Sequence, residues 1–253
     1  MLFVARGEVG SSSTRCCRVT CWSALAVMLS LPPVVASGTE RIPEKPAGSE
    51  HTCAVVVTGG VKCWGANSSG QLGDGTNVNR NTPVNVFGVS GGATAIAAGS
   101  EHTCALTTSG AIWCWGANFS GQLGDGTNVN RNTPVNVSGL SVGASEIAAG
   151  SEHTCAVVAS GVKCWGANSS GQLGDGTNVN RNTPINVFGV SGGVIAVVAG
   201  SEHTCALTTS GAMGCWGANF AGQLGIGTNE KRNTLANVPG LPIMRPSVRV
   251  RIL

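Results

Sequence analysis

The sequence predicts an all-β fold built from four copies of one small sheet, each of four short antiparallel strands. Three observations carry this. A block beginning His-Thr-Cys recurs at His51, His102, His153 and His203, in steps of 51, 51 and 50 residues. Within each block, short apolar or β-branched runs alternate with Gly- and Asn-rich turns, which favours strands over helix. Each block also carries two cysteines at a nearly fixed spacing. Periodicity of this length marks a repeat architecture, in which each unit buries its faces against its neighbours.

Composition sets the outer bounds. Only 11% of the 253 residues are charged and 38 are Gly, so a charged disordered chain is excluded. Three arginines, Arg6, Arg15 and Arg18, lie near the start; beyond Ala36 twelve basic and eleven acidic residues remain. A folded part this close to neutral offers no surface for nucleic acid or anionic membrane.

Residues 1–36 read as a signal peptide. A weakly basic start leads into the apolar stretch Trp22 to Leu31, which Pro32-Pro33 ends; Val34-Val35-Ala36 then supplies small residues for cleavage. The apolar core is too short for a membrane span, which needs roughly 20 residues. Residues 37–46 form a linker. The four units follow at about 47–97, 98–148, 149–198 and 199–242, and residues 243–253 form a divergent tail.

The second unit shows the strand pattern. Ala95–Ala98, His102–Thr107, Ala111–Trp115 and Thr133–Val137 read as strands, with a turn at Ser109-Gly110 and a long Gly/Asn loop from Gly116 to Arg131. Pro134 cannot donate to a ladder, so the fourth strand lies at an edge. The apolar runs are nearly continuous, as expected where both sheet faces are covered. The first unit lacks an opening strand, because Ile42 to Pro46 stands where the second unit has its Ala-rich run.

The cysteines form four local pairs: Cys53/Cys63, Cys104/Cys114, Cys155/Cys164 and Cys205/Cys215. Three are ten positions apart and the third nine. A shorter hairpin turn absorbs the missing residue and keeps the pair opposed. Opposed Cβ atoms on antiparallel strands lie within about 4.5–5.5 Å, close enough for a bridge. With an export signal, four disulfides are expected; the alternative is eight reduced thiols packed as small hydrophobes. The tryptophan after each second cysteine (Trp64, Trp115, Trp165, Trp216) points to the opposite sheet face. Trp113 occupies a position held by Lys62, Lys163 and Gly214 elsewhere, which places it near solvent.

The run Trp64-Gly65-Ala66-Asn67 to Gly70-Gln71-Leu72-Gly73, with copies from Trp115, Trp165 and Trp216, resembles the repeat of the regulator of chromosome condensation family. The resemblance spans about residues 47 to 242, and the paired cysteines look like an exported bacterial branch. It implies β-propeller blades. Four units are fewer than the family's usual number, and Arg249 and Arg251 replace small residues expected near a propeller axis. An open or partial propeller is therefore expected, with uncovered end faces that invite self-association.

No catalytic, metal or cofactor site emerges. Each His lies in His-Thr-Cys, where a histidine hydrogen-bonded within its own blade is the simpler reading than a zinc ligand. Asp74-Gly75-Thr76-Asn77, with Asn79 and Asn81, offers oxygen ligands. It lacks the closing acid of a calcium loop, and Ile226 replaces the aspartate in the fourth copy. The Gly-x-x-Gly spacings follow strands with no helix behind them, which excludes a phosphate loop. Asn67, Asn118, Asn136 and Asn168 begin glycosylation-type triplets. Two functions compete. One is a non-enzymatic secreted or cell-surface scaffold that binds a protein or surface polymer through repeated loops. The other, implied by the resemblance, is guanine-nucleotide exchange on a small GTPase.

Overall fold

The computed structural model describes residues 47–159, 161–190 and 192–241. The signal peptide, the linker to Pro46 and the tail from Pro242 onward lie outside the described residues. All regular structure within them is β. The first sheet holds β1 (His51–Val55), β2 (Val61–Gly65) and β3 (Arg80–Asn85). The second holds β4 (Ala93–Ala98), β5 (His102–Thr107), β6 (Ile112–Gly116) and β7 (Arg131–Asn136). The third repeats the pattern in β8 (Ala144–Ala149), β9 (His153–Val158), β10 (Gly161–Gly166) and β11 (Arg181–Asn186). The fourth holds β12 (Val194–Ala199), β13 (His203–Thr208), β14 (Met213–Gly217) and β15 (Arg232–Asn237).

Every sheet is an antiparallel meander in sequence order. Among the described residues the first has three strands, and an isolated bridge pairs Ala47 with Thr52; Ile42 to Pro46, where an opening strand was expected to be missing, lies outside them. The second, third and fourth sheets begin a few residues earlier than the repeat counted from Ala47, so Ala93 opens the second blade.

The register explains the cysteines and tryptophans together. Cys53 faces Cys63, Cys104 faces Cys114, Cys155 faces Cys164, and Cys205 faces Cys215. Each opposed pair is bridged. In the third unit, β9 and β10 pair through to Val158 and Gly161, so a two-residue turn replaces the longer one of the second unit. That turn places Ala159 at φ 49°, a left-handed conformation that costs an L-residue with a Cβ roughly 1–2 kcal/mol. Ala159→Gly is expected to raise the unfolding midpoint by a few degrees in thermal melts; an unchanged or lower midpoint would show the turn to be unstrained.

A register shift between Cys114 and Gly116 against β7 recurs in every unit. Such a bulge re-aims the residue within it. The extra residues lie on the outer strand, where Asn132 to Pro134 stand opposite Trp115 alone, and the tryptophan side chain leaves its own blade. Trp115 packs into the cluster containing Cys53, Cys63 and Leu72 of the first unit. Trp165 does the same against Cys104, Cys114 and Leu123, and Trp216 against Cys155, Cys164 and Leu173. The core is thus a series of junctions in which the cysteine face of one blade receives the tryptophan face of the next.

Among the described residues no further blade covers either end of the series. The last cluster holds Cys205, Cys215 and Leu224 and contains no tryptophan. No hydrogen bond or apolar cluster joins the first sheet to the fourth among the described residues.

The position before the second cysteine is less exposed than the sequence implied. Trp113 is partly buried against the first junction. At its fourth-unit counterpart, Gly214, a Cβ would meet the Leu235 side chain. Leu235 stands where the other units have Pro83, Pro134 and Pro184, so the larger neighbour fills the space that the smaller residue leaves.

Candidate functional site

Two sets of repeated polar groups are positioned with care: one at the junctions, the other in the long loops. At the first junction, His51 Nε2 lies 2.8 Å from Thr103 Oγ1 of the second blade. The Thr103 hydroxyl donates to the Gln71 carbonyl at 2.9 Å, and Trp115 Nε1 donates to the same oxygen at 2.9 Å. The pattern repeats from His102 to Thr154, with Gln122 and Trp165, and from His153 to Thr204, with Gln172 and Trp216.

This network fixes the histidine tautomer. A threonine hydroxyl has one proton, and the glutamine carbonyl takes it. Nε2 must therefore be the donor to Oγ1, and Nδ1 is left as a bare acceptor. Nδ1 of His51, His102 and His153 is buried without a hydrogen-bond partner. The ring has no room to move, because a Cβ on Gly99 would overlap His102 and the Gly150 carbonyl. Burial keeps these histidines neutral: it pushes His51 down to about 4 and His102 and His153 to about 3. For His102, the neighbouring His153 and His51 add to the effect.

The sequence reading placed these histidines in hydrogen bonds within their own blades. The structure corrects that: each reaches the following blade, about one repeat away. Nothing here resembles a zinc site, and no group of three His, Cys, Asp or Glu able to hold a metal occurs among the described residues.

The long loop is organised around a buried asparagine. Asn67 donates to Asp74 Oδ1 and to the Thr76 and Val78 carbonyls, and its Oδ1 accepts from the Leu72 amide. Asp74 also pairs with Arg80 at 2.8 Å. Burial pushes the Asp74 carboxyl up, but hydrogen bonds from Thr76 and Arg80 outweigh that and hold it below the usual carboxylate range. Asp125 and Asp175 repeat this with Arg131 and Arg181. The oxygens that suggested calcium are therefore committed to an arginine and to the loop's own backbone. In the fourth copy Ile226 removes the carboxylate, and Arg232 turns to Glu230 at 3.7 Å.

Burial also sorts the glycosylation-type asparagines. Asn67, Asn118 and Asn168 are fully buried in their loops. Asn136, at the end of β7, is exposed.

Two clefts lie on these loops. One, of about 340 Å³, is lined by the Ala-Gly-Ser turns of all four units, Ala47–Ser49 to Ala199–Ser201. Another, of about 360 Å³, lies between Ser69 and Asn77 of the first unit and Asn130–Thr133 of the second. Both are open and polar, without a converging set of titratable groups.

The surface carries a feature that the sequence reading did not single out. Each unit displays one phenylalanine to solvent: Phe87, Phe119, Phe188 and Phe220, exposed at 66%, 73%, 69% and 72%. Composition gave a hint, because the tryptophans, leucines and valines suffice to fill the junctions.

A series of meander blades, joined by a tryptophan that crosses to the preceding blade and by an Asn-organised loop, defines a propeller-type repeat protein. The chain matches the RCC1-like domain over residues 7–251 and belongs to that family. It is 36% identical over 133 residues to the ultraviolet-B receptor UVR8 of Arabidopsis thaliana, covering 51% of this chain and 30% of the receptor. It is 40% identical over 94 residues to the human probable E3 ubiquitin-protein ligase HERC4, covering 36% of this chain and 9% of that protein. The chain thus spans under a third of the length of either relative. Among solved structures, human WBSCR16 superposes with a TM-score of 0.70 at 26% identity, over 78% of this chain and 52% of that one. Yeast RCC1 (Prp20), solved bound to Kap60, gives 0.68 at 22% identity, over 78% and 48%.

Proposed function

We propose that this protein is a non-enzymatic, exported scaffold that binds another protein through its repeated loop surface. The observation that carries this is the exposed phenylalanine on every blade. An aromatic ring left in water in each of four units costs solubility and gives nothing to the fold, whereas aromatic side chains are enriched where partners bind. Four similar elements on one rigid framework also suit multivalent contact, in which modest single affinities combine. Two solved structures of one relative, yeast RCC1 (Prp20), are described by protein partners: one bound to Kap60, the other with binding properties toward Gsp1p and histones. The bridged cysteine pairs support an oxidising compartment.

The binding experiment compares wild type with a variant carrying Ser at Phe87, Phe119, Phe188 and Phe220. All four positions are exposed, so the fold is expected to survive. A partner recovered on immobilised wild type and lost from the variant supports the reading; equal recovery on both overturns it. Nucleotide release from a panel of small GTPases tests the exchange-factor alternative, and no acceleration is expected. The oxidising compartment is tested by intact mass after alkylation. Without reductant the eight repeat cysteines are expected to take up no label, and with reductant all eight. Eight labelled thiols without reductant would place the protein in a reducing compartment.

A further inference from the structure

We infer that the two open ends of the blade series are the matching halves of one interface, and that a second copy of this chain docks onto them head to tail. Each internal junction has a receiving side and an inserting side. The receiving side offers a histidine Nε2, a glutamine carbonyl and close-packed glycines; the inserting side brings threonine, tryptophan and asparagine. Among the described residues, no threonine, tryptophan or asparagine occupies the receiving side of the fourth unit. His203 is partly exposed, and among the described residues its ring has no hydrogen-bond partner. The Gln223 carbonyl receives no tryptophan or threonine, unlike those of Gln71, Gln122 and Gln172.

The glycines show the vacancy most directly. A Cβ on Gly73, Gly124 or Gly174 would strike the next unit's tryptophan, whereas on Gly225 it meets only Val238. A Cβ on Gly70, Gly121 or Gly171 would strike the backbone of the next unit's asparagine at 2.6 Å, whereas on Gly222 the nearest atom is Asn229 Oδ1 at 3.5 Å.

The first unit presents the complement. Trp64 and Thr52 are partly exposed, although Trp115, Trp165, Trp216, Thr103, Thr154 and Thr204 are fully buried. Among the described residues neither Trp64 Nε1 nor Thr52 Oγ1 has a hydrogen-bond partner. Asn81 is exposed, whereas its counterpart Asn132 is partly buried and donates to the Gly75 carbonyl of the preceding blade.

Sequence drift argues that the open faces match. From His203 to Leu241 the fourth unit differs from the second at nine positions, yet His203, Gly222, Gln223, Leu224 and Gly225 are retained. Of the changed residues only Ala221 loses a junction hydrogen bond, the one that Ser120 donates to Glu152. Ile226, in place of an aspartate, packs on the buried cluster of Cys205, Cys215 and Leu224 and makes that end more apolar. A head-to-tail contact is heterologous, so copies close into a ring or extend in a line, according to the angle each junction imposes.

The test uses the full chain in its oxidised form. Sedimentation and light scattering over a range of concentrations are expected to show masses at twice that of the chain or at higher multiples of it. Trp64→Glu blocks the inserting end, and Gly222→Asn blocks the receiving end with a residue that tolerates positive φ. Each variant alone is expected to run as a monomer with unchanged circular dichroism. Mixed, they are expected to form a one-to-one pair and stop, because each retains the end that the other has lost. A monomer at all concentrations up to about 100 µM, roughly the weakest association this assay reads, overturns the inference. So does association that both variants retain, or a mixture that fails to pair.

Discussion

Replacing Trp165 by alanine is expected to destabilise the protein by about 4 kcal/mol, within the range for truncating a large aromatic in a packed core. Trp165 is fully buried in the junction between the second and third blades, against the cysteine face of its neighbour. Its Nε1 donates to the Gln122 carbonyl, which keeps the Thr154 hydroxyl as a second donor, so the substitution does not orphan that oxygen. The loss is therefore mostly cavity and packing. At roughly 2–4 °C per kcal/mol for a domain of this size, the thermal midpoint is expected to fall by about 10 °C or more. Trp64→Ala supplies the contrast. It occupies the same motif position, but it packs against no preceding blade among the described residues and is partly exposed. At low protein concentration, where copies do not associate, it is expected to cost under about 1 kcal/mol. Equal losses from the two substitutions would mean that the tryptophan matters within its own blade and that the junction assignment is wrong.

This contrast marks where the sequence was sufficient. The bridged cysteines, the strand order and the opposed faces of cysteine and tryptophan all follow from period-two alternation within a hairpin, a local rule. The destination of the histidine was not legible. His51 lies one strand from several hydroxyls of its own unit, and Thr103 is 52 positions away. Because the repeats are nearly identical, a bond from His51 to its own unit's Thr52 and a bond to the next unit's Thr103 leave the same trace in the chain. Only the packing order of the blades separates them. The Asp74 loop was hidden for a related reason. Its oxygens fit a cation in composition, and the decisive partner, Arg80, lies on the strand beyond the loop. Its loss in the fourth unit is the check: with Ile226 in place, Arg232 has only the exposed Glu230 to meet. The exposed phenylalanines escaped because each sits at a loop position where two units carry Phe and the others do not. They form a series only when both positions are taken together.

The buried histidines make acid the condition to which this fold is most sensitive. His102 and His153 are held near 3 and His51 near 4, against 6.5 in an unfolded chain. Because the folded values are depressed, the unfolded state takes up protons first as the pH drops. Stability is fully present above about 6.5, is lost as the pH falls toward 4, and levels off only below the folded values. Each histidine contributes a slope of about 1.4 kcal/mol per pH unit within that window, so three together give on the order of 4 kcal/mol per unit. A domain with a total stability of roughly 5–15 kcal/mol cannot sustain that slope for long, and unfolding is expected between about pH 5 and 4. Asp74, Asp125 and Asp175, whose carboxyls sit below their usual range, add loss in the same direction, but only once the pH falls through 3.8 and below. The histidines therefore set the onset. The geometry gives the reason: protonation would place a new N–H at Nδ1, a buried atom with no hydrogen-bond partner among the described residues. The measurement is the urea midpoint at pH 7.5, 6 and 5 under oxidising conditions, so that the bridges stay intact throughout. A steep fall across this range is expected, and a flat profile from 7.5 to 5 would show that the imidazoles are not locked in the neutral form that the junctions require.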